Sequence, residues 1–159
     1  MAKRNLIFIM LVCGSYIIQP SYADNQKKSA VLQPFTSDGC SAFPDGTLDQ
    51  KRLWLSCCTD HDRAYWLGGS YRQRQFADKA LQQCVAQVGE PEIALVMLAG
   101  VRVGGSPYWI SPFRWGYGWP YFDGWLPRGY KGLSDQDKKL AEDLTLTKIG
   151  EEKGDSDIE

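Results

Sequence analysis

Only one histidine occurs in the chain, His61, so any imidazole chemistry rests on it. It stands in Cys57-Cys58-Thr59-Asp60-His61-Asp62-Arg63-Ala64-Tyr65, where Cys57 and His61, Cys58 and Asp62, and His61 and Tyr65 are each four residues apart. On a helix that spacing puts each pair on one side. A lone histidine is ordinarily a surface or satisfied core residue, but imidazole also takes and returns a proton near neutral pH, and these neighbours favour that use. If Cys57 bonds Cys84 across two antiparallel helices, His61 comes level with a point four to six residues before Cys84, and Asp78 lies six before it. A carboxylate there would fix the imidazole tautomer and stabilise its protonated form, as a general base requires. The plain alternative for Asp78 is a solvated charge beside Arg72, Arg74 and Lys79.

Asp62 looks toward a different region, and Cys58 on its side could tie the helix to Cys40 within Ser37-Asp38-Gly39-Cys40-Ser41-Ala42-Phe43-Pro44-Asp45-Gly46. Glycine, proline and aspartate at this density make a loop. A loop that turns several carbonyls toward a carboxylate suits a hard cation such as Ca²⁺, which would polarise an ester carbonyl while His61 activates a water.

These groups must be positioned by helices. Thr47 with Gln50 forms a capping box and Gly68-Gly69 a stop, which predicts a first helix over 48–67. Ser70 with Gln73 repeats the box, Gly89 ends the pattern, and a second helix is expected over 71–88. The short Gly-Gly-Ser link makes the pair antiparallel. Pro91 to Val101 reads as a buried third helix of eight to ten residues, closed by Gly104-Gly105. Residues 106–132 are irregular and hold four of the six tryptophans. Trp109, Trp115, Trp119 and Trp125 are there either to cover the helices as core or to form a rim that docks on phospholipid.

At the amino end, Lys3 and Arg4 precede an apolar run from Leu6 to Ile18 that ends at Ser21-Tyr22-Ala23, the pattern of a cleaved export signal over 1–23. The run falls short of the ~20 apolar residues that span a bilayer, and no other segment is long enough. Export leaves Cys40, Cys57, Cys58 and Cys84, an even set that implies two disulfides; adjacent Cys57-Cys58 and the lack of a C-x-x-C pair disfavour zinc. The domain organisation is therefore a signal over 1–23, a flexible lead-in over 24–34, one domain over 35–133, a charged helix over 134–149 and a disordered tail over 150–159. Formal charge is −1 for the whole chain, and loss of Lys3 and Arg4 makes it −3. With no basic patch, nucleic acid is not an expected partner.

The residues Cys57-Cys58-Thr59-Asp60-His61-Asp62-Arg63-Ala64-Tyr65, with Asp78 six before Cys84, resemble the secreted phospholipase A2 superfamily, whose active-site helix carries C-C-x-x-H-D-x-C-Y. The resemblance implies a mainly α, phospholipase A2-like fold and a periplasmic or extracellular enzyme that hydrolyses phospholipid acyl esters at a membrane surface with Ca²⁺. It implies His61 as base, Asp78 as its orienting partner, Tyr65 as a hydroxyl supporting Asp78, and Asp62 as the calcium ligand. It further implies disulfides Cys57 to Cys84 and Cys40 to Cys58. Ala64 stands where the family has a further cysteine, and the family's Y-x-C-G-x-G-G loop is replaced. Carbonyls of Gly39, Ser41 and Phe43 would then be the loop donors, with the Asp45 side chain as an alternative. The separation of 17 between His61 and Asp78 leaves no room for a β-wing, as in compact microbial forms. Two other classes stay open: a catalytically silent lipid- or protein-binding module on this scaffold, and a purely structural disulfide-stapled domain.

Overall fold

The computed structural model describes residues 31–156, with side chains as far as Leu146. The expected export signal over 1–23 and the last three residues lie outside the described residues. The described chain is mainly helical: α1 (Leu55–Leu67), α2 (Tyr71–Gln87), α3 (Pro91–Gly104), a two-stranded antiparallel hairpin of β1 (Phe122–Asp123) and β2 (Leu126–Pro127), and α4 (Asp135–Ser156). No helix among the described residues is long and apolar enough to cross a membrane.

The second helix follows its sequence signals closely. Ser70 and Gln73 form a reciprocal capping box, which satisfies two amide donors that the first turn cannot. The first helix starts later than the sequence suggests. Thr47 Oγ1 does accept from the Gln50 amide at 3.0 Å, but it closes a turn over 47–54 rather than capping α1. Trp54 holds that turn, with its indole donating to Pro44 O at 2.6 Å and its ring in the core, and α1 begins at Leu55 without a side-chain cap. The third helix runs 14 residues, longer than the eight to ten expected, because it continues past Val101 to Gly104. The terminal helix continues past 149 to Ser156, where a disordered tail was expected.

Cys57 is bonded to Cys84 and Cys40 to Cys58, with Cα separations of 5.7 and 5.0 Å. As α1 is followed from Cys57 to His61 to Tyr65, its partner on α2 steps back from Cys84 to Asp78 to Arg74, so the two helices run antiparallel. α2 packs on α3 as well, and one core forms from Trp54, Cys57, Cys58, Leu81, Val85, Ala94 and Met97.

The aromatic segment divides in two. Trp115 and Trp119 are 2% exposed and belong to the core, whereas Trp109 and Trp125 are 59% and 97% exposed. The buried half completes the carboxyl end of α1, whose last carbonyls have no partner within the helix. Gly116 N donates to Tyr65 O, Gly118 N to Trp66 O, the Trp119 indole to Leu67 O, and the Trp115 indole to Gly69 O. This close approach requires glycine at Gly68, which has φ 73°, because a Cβ there would stand 2.7 Å from Gly116 Cα. A second small core joins Leu32, Phe35, Trp66 and Trp119 to Ala141 on α4. Order thus begins earlier than the expected lead-in allowed: Leu32 is buried and Gln33 N donates to Gly118 O at 2.8 Å.

Candidate active site

His61 and Asp62 sit side by side on α1, each 8% exposed, and face different partners. The His61 Nε2 lies 3.2 Å from Asp78 Oδ1 on α2, and Asp78 is fully buried. That contact leaves Nδ1 as the ring nitrogen available to the cavity that His61 lines. With a carboxylate at Nε2, the proton of the neutral ring resides there and Nδ1 carries the lone pair.

Asp78 is itself held from three helices. The Tyr65 hydroxyl donates to Oδ1 at 2.6 Å, and Arg74 Nε donates to the Tyr65 oxygen at 3.1 Å. Burial, with the adjacent Asp78 charge, pushes the Tyr65 phenol far up, so it stays protonated and donates. On the other oxygen, Arg102 Nε of α3 stands 3.0 Å from Oδ2 in an ion pair whose N–H is not aligned for a hydrogen bond, and Arg74 Nε is 3.9 Å away. Arg74 also donates to Val101 O and Arg102 O at 2.7 and 2.8 Å and to the Tyr130 hydroxyl at 2.7 Å. Its guanidinium therefore satisfies carbonyls at the carboxyl end of α3, where a cation is also favoured by the helix dipole. Gly105 follows directly, and a side chain there would overlap the Tyr65 ring.

On the other side, Asp62 Oδ2 accepts from Ser37 Oγ at 2.6 Å. Burial pushes the Asp62 carboxyl up to about 6, and the charge of Asp38 adds to this, while Ser37 and the Asp38 amide pull the other way. The loop turns through Gly39 at φ 78° and Ser41 at φ 55°, and Cys40 carries it onto Cys58 through the disulfide. Gly39, Ser41 and Phe43 line the same cavity as His61 and Asp62. Their carbonyls accept no hydrogen bond among the described residues. Asp45 is occupied differently: its Oδ1 accepts the Cys40 amide at 2.9 Å, so it shapes the loop from within.

The donor chemistry fits a hard cation in kind. The buried Asp62 carboxylate shares its cavity with the carbonyl-bearing residues Gly39, Ser41 and Phe43, the mix of oxygens that such an ion takes. Among the described residues no three His, Cys, Asp or Glu side chains converge. A cation here would therefore depend on main-chain oxygens around Asp62, with Ser37 as the competitor for Oδ2.

The cavity has a volume of about 300 Å³. His61, Asp62 and the disulfide form its floor; Leu81 and the α3 residues Val96, Met97, Gly100, Val101 and Gly104 form an apolar wall that ends at Phe113. Val96 and Phe113 are 58% and 40% exposed at its mouth. Of the residues expected to do chemistry, the structure brings together His61, Asp78, Tyr65, Asp62, Gly39, Ser41 and Phe43. Sequence reasoning missed Ser37, Arg74 and Arg102. Arg102 did carry a signal, since it is the only charge between Ile93 and Phe113.

No protein-family model, curated protein or solved structure matches the chain.

Proposed function

We propose that this chain is an exported, calcium-dependent hydrolase of phospholipid acyl esters, similar to secreted phospholipase A2. The observation that carries the reading is the His61 Nε2 to Asp78 Oδ1 contact of 3.2 Å, which leaves Nδ1 free to act inside an apolar cavity. Nδ1 takes a proton from a water as its oxygen attacks the acyl carbonyl. Asp78 stabilises the imidazolium so formed, and Tyr65 keeps its carboxylate oriented. The ring then returns the proton to the departing alkoxide oxygen, which completes hydrolysis with no net change in the enzyme. Bound Ca²⁺ would supply positive charge that draws electron density from the ester carbonyl. Asp62 and the carbonyls of Gly39, Ser41 and Phe43 are the groups that would hold it.

Lipid as substrate is favoured by the cavity wall and by the exposed apolar residues that continue from it in sequence. An acyl chain matches the apolar side of α3, and the exposed Val96, Val103, Trp109, Ile110 and Phe113 follow on the same stretch of chain. Between Ile93 and Phe113 only Arg102 is charged, so a zwitterionic lipid surface meets little electrostatic resistance there.

The test is fatty-acid release from phosphatidylcholine vesicles with millimolar Ca²⁺ or with chelator. Release that requires Ca²⁺ and is lost in His61→Ala supports the mechanism; release that persists in either condition overturns it. One observation favours a second reading, a lipid-binding module without turnover: Ser37 already occupies Asp62 Oδ2. Vesicle association with no product and no calcium binding would decide for that reading.

A further inference from the structure

The least expected group near the dyad is Arg102. It is the single charge in an apolar stretch, it comes from α3 rather than from the helix pair that carries the dyad, and its Nε meets the buried Asp78 Oδ2 at 3.0 Å. Neither oxygen of Asp78 is left without a neighbour: Oδ1 receives Tyr65 and His61, and Oδ2 faces Arg102, with Arg74 further away at 3.9 Å. A carboxylate can rotate about its terminal bond, and this torsion is broad. Tyr65 and His61 both fix the same oxygen, so they leave the plane of the group weakly determined. A cation on Oδ2 supplies the second point that sets it.

We infer that Arg102 is a positioning residue, which holds the Asp78 carboxylate so that Oδ1 stays directed at His61 Nε2. The inference rests on the hydrolase reading only for its effect on turnover. Arg74 cannot take over this task from its present place, because its guanidinium is committed to Tyr65, Tyr130, Val101 O and Arg102 O. Arg102 is otherwise lightly held: its Nη2 donates to Gln75 O at 3.1 Å, and a third of its side chain is exposed. It also belongs to α3, whose neighbouring residues Val101 and Gly104 line the cavity. Whatever lies against that wall therefore touches the helix that steadies the base.

Because His61 is the only histidine, one imidazole Nε2 proton exists to be followed by NMR at fixed pH. Arg102→Gln should move this resonance upfield and broaden it by exchange, with Arg102→Lys in between. With a soluble short-chain ester and Ca²⁺, kcat should fall about ten- to a hundredfold in Arg102→Gln, the range expected when a catalytic group is misplaced, with KM within about twofold. Arg102→Lys should recover part of kcat. An unmoved resonance in folded Arg102→Gln refutes the inference, as does a fall in kcat that Arg102→Lys does not relieve. If the wild-type chain shows no turnover yet the resonance moves, the hydrolase reading fails and the positioning role stands.

Discussion

Replacing Asp62 with asparagine should make the cation-free protein more stable at pH 8 and leave it nearly unchanged at pH 4. The folded-state carboxyl is raised from 3.8 to about 6, and the cause that dominates is burial. The folded protein therefore binds the Asp62 proton more tightly than the unfolded chain does. The stability this confers is fully present below the unfolded value and is lost as pH rises through about 6. The rise from 3.8 to about 6 corresponds to at most about 3 kcal/mol, reduced by solvent screening, withheld from the ionised protein. Asparagine escapes that cost but reproduces the Ser37 and Asp38 contacts imperfectly, so a gain of about 5–10 °C in Tm at pH 8 is reasonable for a chain of this size. Thermal melts of both proteins in chelator at pH 8 and pH 4 measure it, and the difference between them cancels other titrating groups. Adding millimolar Ca²⁺ should then raise the wild-type Tm and not that of Asp62→Asn. An Asp62→Asn protein that melts at or below wild type at pH 8, or by the same margin above it at pH 4, refutes the argument that burial of a charge dominates this position.

Two further outcomes are expected. Gly68→Ala should lose more than about 2 kcal/mol in denaturant titration, since its backbone lies where only glycine is comfortable and Gly116 occupies the added methyl's place. Breaking the Cys57 to Cys84 bond with paired serines releases a cross-link of sequence separation 27. That should cost about 3.5 kcal/mol by chain entropy and, under the proposed mechanism, depress ester hydrolysis further by loosening the His61 to Asp78 register.

Local chemistry was the readable part of the sequence. The Ser70 and Gln73 box fixed the start of α2 because both partners lie within one turn. The spacing of Cys57, His61, Asp78 and Cys84 carried the dyad because two antiparallel helices convert sequence distance into facing positions. Thr47 and Gln50 misled because the Thr47 hydroxyl needs only a turn to accept from the Gln50 amide; the Thr47 amide goes to the Gln50 carbonyl rather than its side chain, and no helix follows directly. Long-range partners were invisible. Leu32 looked like part of a polar lead-in, yet it packs with Trp119, far along the chain. Arg102 and Ser37 reach Asp78 and Asp62 from elements whose docking no local pattern encodes. Nor did any periodicity separate Trp115 and Trp119 from Trp109 and Trp125, because an irregular segment has no fixed face.

The cap on α1 has a consequence for the order in which the molecule can mature. Residues 65–69 are finished by donors at 115–119, about fifty positions later. A chain that emerges amino end first can form its disulfide-linked helices before the closing segment exists, and the carboxyl end of α1 must wait in water until that segment arrives. His61 is one turn away from that frayed end, so the turn that follows it would be the last part of the helix pair to become rigid. A growing chain would thus carry His61, Asp62 and Asp78 well before the segment that finishes their helix, a delay written into the distance between Gly68 and Gly116 in the sequence.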